Sequence, residues 1–339
     1  MVGFGVVGQS FAKLLLSRSS DLFSLYGIKP RIVACVDKGG SAIAPRGLDL
    51  QRLLEVKRIS GTVGEYEKKS SKFDPLYVIE KMDAEILIEL TPTDIESGEP
   101  GTSNIISAMR SGKHVITVNK GPLALAFPSL MELANYNGVL LRFSGTVGGG
   151  TPILEFAKRC LKGDRIISFK GILNGTTNYI LSRMEEGMTF NHALNDAKQK
   201  GYAEAVPSLD VEGYDAAAKL VIMANLIMDM KVTIKNIRRT GISSVHISDV
   251  QKAQERGNAI KLLAICDKKS LDIRPTEVSK NDPICVGGTL NAVTFYSEHS
   301  GHQTIIGPGA GGTETGSAIL RDMIEIKDTI YGHKSKDEK

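Results

Sequence analysis

A lysine and two acidic residues lie in one stretch of the chain, at positions suited to proton transfer. Asp215 and Lys219 are four residues apart in a helical pattern, so their side chains share one face of the helix. Surface ion pairs with this spacing are common, but residues 220–228 are apolar on nearly every side, as in a buried helix. Desolvating a carboxylate and an ammonium costs free energy, so we interpret this pair as part of a site. Glu204, in a turn before the helix, would add a second carboxylate.

The chain begins with a glycine spacing typical of a dinucleotide-binding turn. In Gly3-Phe4-Gly5-Val6-Val7-Gly8 the first glycine would make the turn, and the second would let pyrophosphate approach the backbone. The third would let the next helix pack closely, with its first N–H groups directed at the phosphates. A glycine-rich turn without a ligand is the alternative. Beside such a cofactor, a lysine near a carbonyl oxygen can transfer the proton that accompanies hydride transfer.

Charged residues after the next predicted strand bear on which dinucleotide is bound. Asp37 ends that strand, where an acidic residue would bind the adenosine ribose hydroxyls and favour NAD. An aspartate that only stabilises a turn is the alternative. Basic residues that could instead accept the 2′-phosphate of NADP follow closely: Lys38, Arg46, Lys57 and Arg58. Both NAD and NADP therefore remain open as cofactors.

Polar residues also follow predicted strands at the sheet edge where open parallel sheets bind ligands. Thr91 follows the strand at 85–90, and Lys120 follows the strand at 114–118. A lysine there can bind an anionic or carbonyl group, although a solvated loop lysine is the alternative. A further polar turn, Asn174-Gly175-Thr176-Thr177-Asn178, leads from a strand into a helix. A helix cap requires fewer polar side chains than this, so the turn is predicted to face a ligand.

The surrounding elements predict an α/β fold with two domains. Near-continuous apolar runs, typical of strands buried on both faces, lie at 31–37, 85–90, 114–118 and 139–144. Helical patterns alternate with them, which predicts a Rossmann-type, doubly wound dinucleotide-binding domain. Beyond residue 150 the pattern becomes α+β, with helices at 152–162 and 177–230 and strands at 259–266, 271–279 and 290–297.

Domain boundaries follow from this change of pattern. We place the dinucleotide-binding domain at residues 1–143 and a substrate-binding and dimerisation domain at residues 144–309. A last helix, at about 310–332, is expected to fold back and complete the first domain.

Composition excludes several classes of partner. The net charge of +4 is small for 339 residues and forms no basic stripe with aromatic residues, so nucleic acid is not expected. The four cysteines form no CxxC pair and the six histidines show no metal-ligand spacing. The most apolar stretch, 220–228, is too short to cross a bilayer, and no signal peptide precedes the glycine turn. We expect a cytoplasmic protein without a membrane partner.

Long motifs in the right order make the chain resemble the homoserine dehydrogenase family nearly from end to end. These motifs are GFGVVG, ELTPT, GKHVITVNKGPLA, TVGGGTPI, GILNGTTNYIL, GYAEAVPSLDVEGYDAAAKL and GPGAGGTETGSAIL. The resemblance implies a homodimeric enzyme that interconverts L-homoserine and L-aspartate 4-semialdehyde with NAD or NADP. Its pathway would lead to threonine, methionine and isoleucine. The length is similar to that of the form without a regulatory ACT domain or a fused aspartate kinase.

The resemblance also implies roles for individual residues. Lys219 matches the proton donor in reduction, and Lys120 matches a second catalytic lysine that touches cofactor and substrate. Positions that match the substrate site are Glu204, Asp210, Asp215, Thr176 and Gly175. Besides the glycine turn, positions that match cofactor contacts are Thr91, Gly201 and Gly311.

The chain departs from the family pattern at the position of a metal ion and near the substrate site. Family members often bind sodium through a glutamate side chain and backbone carbonyls, but Ser144 stands where that glutamate would be. Only the carbonyls of Val147, Gly149 and Thr151 would then remain as sodium ligands. Val206 replaces an aspartate that is usual near Glu204.

The first strand of the predicted dinucleotide-binding domain is also short. Only Met1 and Val2 precede the glycine turn, although this strand is normally central and paired on both sides. We therefore expect about half a dozen further residues upstream of Met1, the usual length of a strand.

Two other functions remain open on the sequence. One is another NAD(P)-dependent reductase of small amino-aldehydes, and the other is a catalytically weak dinucleotide-binding sensor. The presence of both lysines and both carboxylates favours an enzyme over the sensor.

Overall fold

A computed structural model describes residues 1–67, 73–204 and 206–332. The chain divides into two compact units. The first contains residues 1–122, 128–146 and the chain from Gly311 onward, and the second contains residues 123–127 and 147–310. Within the described ranges, no helix is both long enough and apolar enough to cross a membrane.

Helices are distributed through both units. In chain order they are α1 Val6–Ser17, α2 Ser19–Tyr26, α3 Leu50–Ser60, α4 Pro75–Lys81, α5 Gly101–Arg110, α6 Lys120–Tyr136, α7 Ile153–Glu155, α8 Gly175–Glu185, α9 Phe190–Gln199, α10 Ser208–Val211, α11 Tyr214–Met228, α12 Ile247–Glu255 and α13 Gly312–Tyr331. Several begin at side chains that accept backbone hydrogen bonds, as Asp49 does for α3 and Asn119 for α6.

The strands form one sheet in each unit. In chain order they are β1 Ala34–Asp37, β2 Gly40–Ile43, β3 Ile86–Glu89, β4 His114–Thr117, β5 Leu141–Arg142, β6 Ile166–Ile172, β7 Arg238–Arg239, β8 Asn258–Cys266, β9 Leu271–Ser279, β10 Leu290–Ser297 and β11 Gly301–Pro308.

The sheet of the first unit is completed by a short segment centred on Val2. Strands β3, β4 and β5 pair in parallel, while β1 and β2 form an antiparallel hairpin. Val2 joins the two groups by parallel bridges to Val36 and Glu89. Its N–H donates to the Ile88 carbonyl at 2.9 Å, and its carbonyl accepts from the Leu90 N–H at 2.7 Å. Val2 therefore occupies the central place of the first strand, and the predicted Rossmann-type fold class is confirmed.

Helix α13 contributes to the hydrophobic core of the first unit. Its buried residues Ile319, Met323 and Ile326 belong to one apolar cluster with Phe11 and Leu15 of α1. Apolar side chains recur every three or four residues in α13, so one face of the helix can be buried against the unit.

The second unit is built on a six-stranded sheet in the order β11-β10-β6-β8-β9-β7. All neighbouring pairs are antiparallel except β7 and β9. Helix α11 packs against β6, β8 and β9, and every residue from Ala216 to Asn225 is buried. This burial explains the nearly continuous apolar sequence of the helix.

The sequence located the long strands better than the short or polar ones. The strands expected at 259–266, 271–279 and 290–297 are observed as β8, β9 and β10. The helical region expected at 177–230 is instead divided among α8, α9, α10 and α11, because turns with positive φ at Gly187, Gly201 and Gly213 interrupt it. The strand β11 and the helix α12 were not predicted, because polar residues interrupt the apolar periodicity from which such elements are recognised.

Candidate active site

The glycine turn joins Val2 to α1 in the first unit. Gly3 has a φ of +96°, and a Cβ there would lie 2.4 Å from the Leu90 carbonyl oxygen, so the turn requires glycine. At Gly5 an added Cβ would meet no atom within 4 Å, and both Gly5 and Val6 are exposed. Helix α1 begins without a side-chain cap, which leaves its N-terminal N–H groups available to an anion. The open backbone at Gly5 therefore fits the pyrophosphate of a dinucleotide.

Asp37 and Lys57 contact each other in this unit. Asp37 Oδ2 accepts hydrogen bonds from Lys57 Nζ at 2.7 Å and from the Val63 N–H at 3.0 Å. Asp37 Oδ1 accepts from Thr62 Oγ1 at 2.7 Å and from the Gly39 N–H at 2.9 Å. Burial alone would raise the pKa of Asp37, but these hydrogen bonds outweigh it and lower the pKa. Both carboxylate oxygens of Asp37 are therefore already hydrogen-bonded within the protein.

Glu89 is a fully buried carboxyl group at the end of β3, with 0% exposure. Its Oε1 accepts from the Thr91 N–H at 3.0 Å and from the Thr91 hydroxyl, and its Oε2 accepts from Thr117 Oγ1 at 3.0 Å. Burial raises the pKa of Glu89, and the hydrogen bonds from Thr91 and Thr117 offset only part of that effect. Glu89 thus connects the polar ends of the two neighbouring strands β3 and β4.

The same hydrogen-bond network reaches the start of α6. The Asn119 N–H donates to Thr117 Oγ1 at 3.1 Å, and Asn119 Nδ2 donates to Thr91 Oγ1 at 3.2 Å. The Asn119 side chain also caps α6, whose first residue is Lys120. Thr91 and the backbone of Lys120 are therefore held in place by a network centred on Glu89.

Lys219 lies in the second turn of α11 and is only 7% exposed. Its Nζ is 2.7 Å from Asp215 Oδ2 and donates to the Leu173 carbonyl at 2.7 Å. That carbonyl also accepts from Asn291 Nδ2 at 3.1 Å. A lysine ammonium has three donors. The third N–H of Lys219 has no acceptor among the residues that the structure describes.

Asp210 joins this pair through Asn174, the residue before α8. Asn174 Nδ2 donates to Asp210 Oδ1 at 2.6 Å and to Asp215 Oδ2 at 2.9 Å. Burial and then the negative charge of Asp215 raise the pKa of Asp210, while Asn174 and Lys219 offset part of the rise. The half-buried Asp210 and Asp215 and the buried Lys219 therefore form one cluster of ionisable residues.

The remaining predicted substrate residues lie near the start of α8 or in the exposed turn after α9. Gly175 is the first residue of α8, and the Thr176 hydroxyl donates to the Tyr202 carbonyl at 2.6 Å. Glu204, two residues further on, is exposed and makes no hydrogen bond or ion pair with the residues the structure describes. Val206 is 74% exposed. The structure thus brings Asp210, Asp215 and Lys219 into contact, and Glu204 shares none of these contacts among the residues that the structure describes.

The remaining predicted cofactor positions are at the ends of helices. Gly201 lies in the turn after α9, and Gly311 is the residue immediately before α13. Phe4 contributes to the core and is 1% exposed, while Gly8 is buried within α1. Val6 is exposed and Val7 half-buried in the first turn of α1.

The stretch expected to supply sodium ligands offers backbone oxygen atoms and no carboxylate. Ser144 donates through its N–H to Asp322 Oδ2 at 2.9 Å and through its hydroxyl to Asp322 Oδ1. The Thr151 carbonyl already accepts from the Ile153 N–H at 2.8 Å. Within the described ranges, no three His, Cys, Asp or Glu side chains are placed to hold a metal ion. These residues do not fit a complete sodium site, and no catalytic step is assigned to sodium.

Sequence reasoning missed the roles of two residues in these networks. Asn174 was part of the predicted polar turn, and its cap position was the available signal, but its contacts with Asp210 and Asp215 come from distant segments. Glu89 lies in the apolar run 85–90, where a charged residue at the end of a buried strand was the available signal.

A dinucleotide-type glycine turn on a parallel sheet, with a buried lysine and carboxylates in a second unit, defines a nicotinamide-dependent dehydrogenase. The sequence profile of the homoserine dehydrogenase family matches residues 152–324. The homoserine dehydrogenase of Methanocaldococcus jannaschii is 42% identical over 96% of this chain and 97% of its own. An NAD(+)-dependent homoserine dehydrogenase of Pseudomonas canavaninivorans is 38% identical over 96% of this chain and 95% of its own.

The chain is also similar to solved structures of homoserine dehydrogenases. A crystal structure from Archaeoglobus fulgidus, assigned to homoserine dehydrogenase, has a TM-score of 0.88 at 40% identity and covers 96% of this chain and 97% of its own. A hyperthermophilic archaeal homoserine dehydrogenase in complex with NADPH has a TM-score of 0.83 at 28% identity. It covers 97% of this chain and 96% of its own.

The chain belongs to the homoserine dehydrogenase family. It is an NAD(P)-dependent oxidoreductase that interconverts L-homoserine and L-aspartate 4-semialdehyde. The resemblance, the activity and the cofactor class expected from the sequence are therefore confirmed.

Proposed function

We propose that Lys219 is the acid–base residue of homoserine oxidation and semialdehyde reduction. The observation that carries this role is the ion pair of the buried Lys219 with Asp215, in which Asp215 Oδ2 lies 2.7 Å from Lys219 Nζ. Asp215 and the Leu173 carbonyl accept two of the ammonium N–H groups and orient the third. In reduction this third N–H donates its proton to the carbonyl oxygen of the substrate. In oxidation the amine accepts the hydroxyl proton of homoserine.

The bound NAD(P) supplies the hydride for reduction and accepts it in oxidation. The protein's part in this step is to hold the carbonyl oxygen against the Lys219 ammonium. Because Lys219 is desolvated, its positive charge acts more strongly on the developing alkoxide than it would in water.

The charges around Lys219 fit an amino-acid substrate. Asp210 and Asp215, when ionised, exceed the single positive charge of Lys219 by one negative charge. The α-ammonium group of homoserine carries the charge that would balance this excess. We place that ammonium beside Asp210, with Gly175 and Thr176 completing the substrate site. Glu204 would join them, since the hydrogen bond from Thr176 to Tyr202 holds the neighbouring turn close to α8.

We propose that the cofactor binds the glycine turn at residues 3–8, with Thr91, Lys120, Gly201 and Gly311 as further contacts. The exposed backbone at Gly5 and the uncapped start of α1 support the pyrophosphate position. Lys120 would be a second catalytic lysine, positioned by the Asn119 cap of α6. For the adenosine end, Asp37 and Lys57 remain candidates for binding NAD or NADP.

We also propose a homodimer formed through the six-stranded sheet. Register places Ser168, Tyr296 and His302 side by side on one face of β6, β10 and β11, and all three are half-buried or exposed. Ile306, on the same face of the edge strand, is 46% exposed. Such a face is suited to packing against a second copy. Sedimentation velocity tests this proposal: a dimer that Ile306→Glu weakens supports it, and a wild-type monomer contradicts it.

Family membership supports two further assignments. We propose that the reaction contributes to threonine, methionine and isoleucine biosynthesis, and that it takes place in the cytoplasm.

The role of Lys219 is tested by following nicotinamide absorbance with L-homoserine. We expect Lys219→Ala to lower kcat about 10²–10⁴-fold, the usual contribution of a general acid–base group, while cofactor affinity is unchanged. Lys235→Ala, at an exposed lysine of the same unit, is the matched control and should keep wild-type activity. A folded Lys219→Ala variant with near wild-type kcat would contradict the proposal.

A further inference from the structure

Asn174 makes four hydrogen bonds with its side-chain amide, and they connect two aspartates with the start of a helix. Its Nδ2 donates to Asp210 Oδ1 at 2.6 Å and to Asp215 Oδ2 at 2.9 Å. Its Oδ1 accepts from the Thr177 N–H at 2.9 Å and from the Thr177 hydroxyl at 3.0 Å. Both donors and both lone pairs of the amide are therefore used.

This pattern determines which way the amide points. If it were rotated by 180°, the Asn174 carbonyl oxygen would face two carboxylates and its NH₂ group would face the Thr177 N–H. Both contacts would be repulsive, so the N-cap of α8 and the donation to the aspartates require the same orientation. Because Asn174 is 5% exposed, water cannot readily replace these donors.

The position of Asn174 between two carboxylates has an electrostatic consequence. Like charges at short range disfavour ionisation of both groups, and one N–H directed at each carboxylate counteracts that repulsion. Asp215 Oδ2 also contacts Lys219 Nζ at 2.7 Å. Asn174 and Lys219 therefore bind the same oxygen atom of Asp215.

We propose that Asn174 is a positioning residue of the reaction, which holds Asp210 and Asp215 side by side as carboxylates and through Asp215 orients the Lys219 ammonium. This inference rests on the proposed roles of Asp210, Asp215 and Lys219. Asn174 itself need not touch substrate or cofactor, so its effect is on the ionisation and geometry of its neighbours.

The groups that face Asp210 determine how this role depends on pH. From α11 they are the charged residues Asp215 and Lys219, and from α8 and the residue before it they are the neutral side chains of Thr176 and Asn174. Burial and the charge of Asp215 already raise the pKa of Asp210. Loss of the Asn174 donor would raise that pKa further, so Asp210 would become protonated, and would lose the substrate ammonium, at a higher pH.

The variant Asn174→Ser separates the two functions of the residue. Serine is as good an N-cap as asparagine, and it is neutral, but its short side chain cannot bridge the two carboxylates. We expect the acid limb of kcat/KM for L-homoserine to move up by about one pH unit, within the range that loss of a charge-stabilising neighbour produces. KM at low pH should rise more than kcat falls, because the binding of the substrate ammonium is affected first.

Two further variants keep the experiment decisive. Thr177→Val removes one donor to Asn174 Oδ1 but leaves both aspartate contacts in place, so it should lower thermal stability without moving the acid limb. If Asn174→Ser does not fold, Asn174→Asp also retains a capping oxygen and should shift the limb in the same direction and further, since it adds a negative charge.

The possible outcomes distinguish this inference from the proposed function. Wild-type protein without activity on L-homoserine at any pH would contradict the function itself. With an active wild type, an unmoved acid limb in a folded Asn174 variant, or an equal shift in Thr177→Val, would overturn the positioning role. An upward shift confined to the Asn174 variants would support it.

Discussion

The Lys57 ammonium lies 2.7 Å from Asp37 Oδ2, and the two side chains are 18% and 7% exposed. Asp37 ends β1 and Lys57 lies in the last turn of α3, so their contact joins a strand of the sheet to the helix that follows the β1–β2 hairpin. With the hydrogen bonds from Thr62 and Val63, the pair closes the loop beside the predicted adenosine site. The contact therefore stabilises the unit whether or not a dinucleotide is bound.

Asp37→Asn should destabilise the protein by roughly 1–3 kcal/mol at neutral pH, because Lys57 loses its counter-ion and hydrogen-bond acceptors are lost. Since the folded-state pKa of Asp37 is lowered, its stabilisation is present above the unfolded pKa of about 4 and is lost as the pH falls. The difference between wild type and variant should therefore be smaller at pH 3 than at pH 7. Urea unfolding at both values measures it.

Asp21→Asn is the matched control for that experiment. Asp21 pairs with Arg18 at 3.3 Å, but both side chains are about half exposed, so removal of the charge should change the free energy of unfolding by less than about 1 kcal/mol. If both substitutions changed the free energy of unfolding equally, the contact between Asp37 and Lys57 would stabilise the protein no more than an exposed ion pair does.

Glu89→Gln should show the opposite pH dependence. Burial raises the pKa of Glu89, so its contribution to stability is fully present below the unfolded pKa of about 4.3 and is lost as the pH rises. The variant removes an acceptor for Thr91 or Thr117 but also removes the cost of a buried charge. We expect Glu89→Gln to be less stable than wild type at pH 4. Its stability should equal or exceed that of wild type by pH 8.

Urea unfolding across this range measures the effect, and Glu132→Gln on an exposed part of α6 should leave stability unchanged at every pH. A Glu89→Gln deficit that grows as the pH rises would contradict the expected ionisation of Glu89.

Alanine substitutions at Gly3 and Gly5 should have different effects. At Gly3 the φ of +96° and the 2.4 Å approach to the Leu90 carbonyl oxygen require a backbone shift, so Gly3→Ala should be strongly destabilised or fail to fold. At Gly5 the new methyl group meets no protein atom within 4 Å, so Gly5→Ala should fold normally. That methyl group would occupy the space proposed for the pyrophosphate and should weaken cofactor binding at least tenfold.

Thermal melting and titration of nicotinamide fluorescence separate these two effects. A Gly5→Ala variant that binds NAD(P)H as well as wild type would place the pyrophosphate elsewhere.

Local patterns in the sequence predicted much of the framework. Near-continuous apolar runs located β3 and β4, because a strand buried on both faces must be apolar throughout its length. Strand-like runs also located β8, β9 and β10. The spacing of Asp215 and Lys219 on a buried helix predicted their ion pair, since residues four apart share a helix face. In each case the information lies within a few residues of the chain.

Features that depend on distant segments were not predictable in this way. The sequence alone could not show that Asp37 contacts Lys57, or that Asn174 reaches both Asp210 and Asp215, residues 36 and 41 positions away. Nor could it show that Glu89 would bind Thr117 in the neighbouring strand.

The sequence by itself determined the family, and it predicted the cofactor turn and the roles of the lysine and carboxylates. Only the tertiary structure decided which carboxylates are available and which are bound by other residues. The physical reason is that ionisation and hydrogen bonding depend on burial and on partners within about 3 Å, which chain folding alone brings together. Residue type and spacing specify which groups could react, and the packing around them specifies their charge and orientation.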